Sequence, residues 1–152
     1  MIKAPKTYFE WNKILDTLKS SSPSDTEILE AINNGVIESG NYERLFTKLQ
    51  ETIEYRMKKA DEKFDSITGK TTNIDILSPA LNNLKREYTF LLKIVKAQSI
   101  LNVSKEYSDK FVEFIKSSAD TVQQSLEDSA ASDRTGFLKK IIKSTRVNDL
   151  GV

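Results

Sequence analysis

Eight apolar residues between positions 42 and 67 constrain this chain more than any other feature. Tyr42, Phe46, Leu49, Ile53, Met57, Ala60, Phe64 and Ile67 recur only at intervals of three and four, the period that lines one face of an α-helix. The stripe runs for about seven turns. A helix of that length cannot bury one face by itself, so other helices must cover it. The sequence supplies them. Leu81, Leu84, Tyr88, Leu91 and Val95, with Gln98 as a polar member, form a second stripe, and Val103, Tyr107, Phe111, Phe114, Ile115, Val122 and Leu126 form a third.

Boundaries follow from capping chemistry. Thr68–Asn73 breaks the first long helix, and Ser78-Pro79 has the form of a helix start, with Ser as cap and Pro at the first helical position. No Gly or Pro occurs between Ala80 and Thr135. The expected break in that stretch is Asn102–Ser104, where Asn can end one helix and Ser can open the next. Long helices are therefore predicted over 42–67, 79–101 and 104–127. Their heptad-like spacing favours the shallow left-handed crossings of coiled coils.

Shorter helices flank this set. Thr7 and Glu10 have capping-box spacing, ahead of Tyr8, Trp11, Leu15 and Leu18 on one stripe. Ser20–Pro23 ends that helix. Ser24 and Glu27 form a second box before Ile28, Leu29 and Ile32, and Gly35 is placed to close the helix in a left-handed conformation. Near the other end, 129–136 reads as a small polar linker. Beyond it Phe137, Leu138, Ile141 and Ile142 alternate with Lys139, Lys140, Lys143 and Arg146 in a basic amphipathic helix over 137–147, and Asn148–Val152 reads as frayed. The expected fold is all-α: a bundle domain over 1–128 with about four main helices and short flanking ones, a linker, and the C-terminal helix.

The chain contains neither Cys nor His. That composition removes Ser-His-Asp and Cys-His catalysis, zinc fingers, HExxH metal sites and disulfides. Ser66–Thr71 resembles the end of a phosphate-binding loop, but the position of its first glycine is Phe64 and a helix leads in where a strand is needed. Asp61, Glu62, Asp65 and Asp75 lack the alternation and the glycine of a calcium loop. No catalytic residue, cofactor or metal ligand is therefore assigned, and the chain is read as no enzyme. The second short helix, where a helix-turn-helix would meet DNA, carries Asp25, Glu27 and Glu30 and no basic residue, which argues against groove reading.

What remains are surfaces. Residues 106–133 hold seven acids and two basic residues, whereas 134–152 hold five basic residues and one acid. The basic helix can fold back on the acidic one, or dock on a partner. The aromatic start of the first helix, Tyr8 with Trp11, reads first as an anchor to the core, with a partner-binding anchor as the sharper alternative. The partner-binding residues read from sequence are Tyr8, Trp11, Phe137, Leu138, Lys139, Lys140, Ile141, Lys143 and Arg146. The expected function is that of a non-catalytic protein-protein interaction module, a subunit or adaptor of a larger assembly, with self-association favoured. The alternatives are a small accessory of nucleic-acid machinery and an inhibitor or immunity protein that occludes an enzyme. No segment has the apolar length of a membrane span. Glu10 and Lys13 interrupt the N-terminus before any signal-like stretch, so an intracellular setting, cytoplasmic or nuclear, is expected.

Overall fold

A computed structural model describes residues 2–20 and 24–151. It is all-α, with seven helices and no strand among the described residues: α1 (Tyr8–Ser20), α2 (Asp25–Asn33), α3 (Tyr42–Thr68), α4 (Ile74–Val95), α5 (Gln98–Leu101), α6 (Lys105–Ser132) and α7 (Phe137–Ser144). The stop expected at Ser20–Pro23 falls mostly outside the described residues.

The chain divides into two compact units, Met1–Arg56 with Phe90–Val112, and Met57–Thr89 with Glu113–Val152. Each of the three long helices gives a stretch to both.

In the first unit, α1 begins as its sequence dictates. The Glu10 N–H donates to Thr7 Oγ1 at 3.2 Å, and the Thr7 N–H donates to Glu10 Oε1 at 3.2 Å. Trp11, Ile14, Leu15 and Leu18 are buried on one side. The start of α2 departs from expectation. Ser24 is the cap residue but makes no side-chain cap bond. Asp25 and Glu27 instead place negative charge at the exposed N–H groups of the first turn, and Asp25 Oδ1 lies 3.5 Å from Arg56 Nη1.

Gly35 is a second correction. The glycines with positive φ are Gly40, Gly136 and Gly151; α2 ends on Asn34, at φ −91°, without a left-handed glycine. Gly35 is needed for space. A Cβ there would lie 2.7 Å from Trp11 Cζ2 and 3.0 Å from Pro5 Cγ. The Trp11 indole N–H donates to the Val36 carbonyl at 2.7 Å, and the Val36 N–H donates to the Pro5 carbonyl at 2.8 Å. These bonds press the ring and the proline onto the bare Gly35 backbone.

Helix α4 starts four residues before Ser78, because Asn73 supplies the cap: its Oδ1 accepts the Asp75 N–H at 2.9 Å. Pro79 therefore lies inside the helix, where it gives up only the bond to the Asp75 carbonyl. The same helix stops at Val95 rather than 101. Two polar side chains take over there. Ser108 Oγ donates to the Val95 carbonyl at 2.9 Å, and Ser99 Oγ donates to the Ile32 carbonyl at 2.6 Å. Asn33 Oδ1 accepts the Gln98 N–H at 2.8 Å, so α5 is tied to the end of α2. The expected break at Asn102–Ser104 is present, with Ser104 Oγ accepting the Tyr107 N–H at 3.3 Å.

The stripes become core. Phe46, Leu49, Ile53, Met57 and Phe64 are buried along α3, and Leu81, Leu84, Tyr88, Leu91 and Val95 along α4. Phe90, Leu92 and Ile94 are buried as well, so the end of α4 is enclosed around most of its circumference, with Lys93 left exposed. Arg56 is the buried cation of the first unit. Its Nη1 donates to the Leu18 carbonyl at 3.1 Å, and its guanidinium lies 4.8 Å from the Phe90 ring centre.

Candidate partner-binding surface

Helix α6 does not end at 128. It continues through Ser129–Ser132, with Ala130 buried, and only Asp133–Gly136 links it to α7. Asp133 organises that link. Its Oδ1 accepts the Thr135 N–H at 3.0 Å and the Thr135 hydroxyl at 2.8 Å, and its Oδ2 accepts the Leu138 N–H at 3.2 Å. Partial desolvation raises the Asp133 pKa, but the hydrogen bonds from Thr135, Leu138 and Phe137 outweigh it and hold the carboxyl below its ordinary value. Gly136, at φ +74°, completes the turn.

The chain then folds back within the second unit. Ile141 is 1% exposed, Val147 0% and Leu150 6%, so the segment read as frayed supplies one of the three apolar anchors, Leu150. Its polar groups are equally engaged. Thr145 Oγ1 donates to Asn82 Oδ1 at 2.9 Å and Thr89 Oγ1 donates to the Leu150 carbonyl at 3.5 Å. On the other side the Val147 N–H donates to Gln123 Oε1 at 2.9 Å, Asn148 Nδ2 donates to Asp120 Oδ1 at 2.9 Å, and Arg146 Nη1 lies 3.3 Å from Glu127 Oε1. The contacts advance along α4 and retreat along α6. Residues 145–150 therefore lie in the groove between these two helices, running with α4 and against α6.

The nine residues singled out by sequence are sorted by this arrangement. Trp11 is 2% exposed and packs in the first unit. Tyr8 is half-buried under the Arg44 guanidinium, 3.9 Å from its ring centre. Ile141 faces the core, and Arg146 is paired with Glu127. Phe137 and Leu138 are half-buried. Lys139, Lys140 and Lys143 are exposed, and among the described residues none of the three makes an ion pair. At 100° per residue, Lys139 and Lys143 point directly away from Ile141 and Lys140 flanks them. The result is a fixed cationic face, held in place by the anchored tail.

The groove residues Asn82, Thr89, Asp120, Gln123 and Glu127 were not singled out by sequence, since each reads locally as a solvated helix position. A signal was present in Val147 and Leu150, the apolar residues of an otherwise polar stretch from Lys143 to Gly151. Elsewhere in this unit, Tyr88 donates its hydroxyl proton to Asp61 Oδ1 at 2.9 Å. Burial is the main cause that raises the Asp61 pKa; the Tyr88 bond opposes it and Asp65 adds to it. Burial and the neighbouring carboxylate push the Tyr88 phenol far above its ordinary range.

Among the described residues no cluster of three or more acidic side chains is placed to hold a metal ion, and no helix is long and apolar enough to cross a membrane. No protein-family model, curated protein or solved structure matches this chain.

Proposed function

We propose that this protein is a non-catalytic helical interaction module, acting as a subunit or adaptor in a larger intracellular assembly. The observation that carries the reading is the triad Lys139, Lys140 and Lys143. Among the described residues its three ammonium groups have no carboxylate partner, and they sit on a helix held by the buried Ile141, Val147 and Leu150. A fixed charge pattern steers and orients a complementary acidic surface better than a mobile tail does. The partner on this reading is an acidic protein surface, with a second copy of the chain as a further partner.

The test is charge reversal at all three lysines, Lys139→Glu, Lys140→Glu and Lys143→Glu together. These side chains are exposed, so thermal stability should move little. Affinity purification with mass spectrometry, comparing wild type and triple variant, should show the loss of one or more stoichiometric partners. An unchanged set of partners at matched expression would refute the proposal.

The same triad supports a second reading, a nucleic-acid accessory. Titration with duplex DNA at several salt concentrations separates the two. Three phosphate contacts give a logarithmic salt slope of about −3, and reversal of the three lysines should flatten it. An inhibitor of a partner enzyme would instead emerge as a single stoichiometric co-purifying protein.

A further inference from the structure

We infer that the α4–α6 groove also receives the C-terminal segment of a second copy of this chain, by exchange of residues 137–150 between two protomers. The inference rests on the self-association part of the reading above, but it uses the groove and not the lysine face.

The groove is built to read this segment. Val147 and Leu150 enter as apolar pegs, while the Gln123 amide carbonyl takes the backbone N–H of Val147 itself. Glu127 and Asp120 select a cation before the first peg and an amide after it. A second copy carries the identical segment by definition. Any foreign peptide would have to reproduce that order of basic, apolar, amide and apolar groups.

The connection is suited to opening. Asp133–Gly136 contributes no buried apolar side chain; its closed form is held by the Asp133 hydrogen bonds and by one left-handed glycine. When it opens, α6 and α7 can join as one longer helix. The seat of 137–150 is then made by the partner protomer with the same contacts. The closed and exchanged forms differ in the hinge and in the entropy of association, so exchange grows with concentration.

The absence of cysteine makes the test clean. Asn82 and Thr145 touch across the groove, so one full-length variant carries Asn82→Cys with a size tag, and another carries Thr145→Cys. The two are mixed at high micromolar concentration, warmed, and treated with a short bis-maleimide. A cross-linked heterodimer on a denaturing gel reports a tail seated in the other chain's groove. Asp120→Cys with Asn148→Cys repeats the test at the opposite wall.

Gly136→Ala supplies the lever. No neighbour lies within 4 Å of the added Cβ, so the change acts through the backbone alone. It penalises the left-handed turn of the closed hinge and favours the continuous helix, raising the cross-linked fraction about tenfold. Heterodimer cross-linking enhanced by Gly136→Ala is the expected result. Its absence in both backgrounds, while single chains carrying both cysteines of a pair cross-link internally, overturns the exchange. Sedimentation separates the two levels of failure. A dimer without inter-chain cross-links defeats exchange alone, whereas a monomer at every concentration defeats self-association as well.

Discussion

Gly35→Ala gives the sharpest check on the packing of the first unit. Backbone strain plays no part, because Gly35 is not among the positive-φ glycines. Left in open space, the change would stabilise the protein by about 0.4–1 kcal/mol, by restricting the unfolded chain. The structure predicts the opposite sign. The new methyl would stand 2.7 Å from Trp11 Cζ2, 3.0 Å from Pro5 Cγ and 3.1 Å from the Pro5 carbonyl oxygen. Trp11 cannot simply swing away, since its indole N–H is bonded to Val36 and its ring is 2% exposed. Overpacking of this kind costs about 1–3 kcal/mol. After the entropic gain is offset, a net loss of about 1–2 kcal/mol remains, or a melting temperature lower by roughly 2–8 °C at this chain length.

Trp11 is the sole tryptophan, so its fluorescence and near-ultraviolet dichroism report on the disturbed contact directly. Denaturant melts followed at this one fluorophore should show the lower midpoint, together with a changed native-state spectrum. Trp11→Phe in the Gly35→Ala background removes the clashing atom, so the two substitutions should couple favourably by about 1 kcal/mol, measured by far-ultraviolet dichroism. Gly40→Ala is the contrast: its φ is +92° with no neighbour within 4 Å, so it should cost about 1 kcal/mol without altering the Trp11 spectrum. A stabilised Gly35→Ala with an unchanged spectrum would refute the close-approach argument.

Three further outcomes are expected. Leu150→Ala should cost about 2–5 kcal/mol, and deleting 137–152 should lower the melting temperature further; an unchanged calorimetric melt after deletion would show that the tail is not seated. Arg56→Met should cost about 1–3 kcal/mol in a urea melt, chiefly because the buried Leu18 carbonyl loses its donor, since Asp25 is 46% exposed and its ion pair is worth little. Asp61 has a raised pKa in the folded state, so protonation favours folding: wild type carries a penalty at neutral pH that fades as pH falls towards the ordinary value of 3.8. Asp61→Asn, which keeps an acceptor for Tyr88, should match or exceed wild-type stability at pH 7 and lose that advantage near pH 4; a difference independent of pH would contradict this.

Periodicity made the long helices legible, because a stripe at spacing three and four can be satisfied in only one backbone conformation. Thr7 with Glu10, and Ser104, were equally readable, since their partners lie within three residues. The misreadings share the opposite property. The end of α4 at Val95 is set by Ser108, and the start of α5 by Asn33 and the turn at Ala97. The register of α6 past 128 depends on Ala130 finding a buried place, and the order of the tail depends on Asn82 and Gln123. No local rule links such pairs. Gly35 shows the same limit, because a glycine after Asn-Asn fits a left-handed cap from sequence, and only the approach of Trp11 gives its real use.

This division bears on where function can lie. A polar side chain on a helix is ordinarily read as surface, yet Ser99, Ser108 and Gln123 are 1–2% exposed and each serves a backbone group of another segment. Once these are assigned to structure, and Arg56 and Arg146 with them, much of the chain's polar character is spent on joining its own elements. The basic tail is the clearest case. Of its charged groups, Arg146 neutralises Glu127 and secures the seat, whereas Lys139, Lys140 and Lys143 contribute nothing to that seat and repel one another across adjacent turns. Stability alone would favour at least one acid among them. On the proposed reading, three cations with no ion pair among the described residues, on a helix anchored by Ile141, are kept for a partner, so their reversal should change binding while leaving the fold intact.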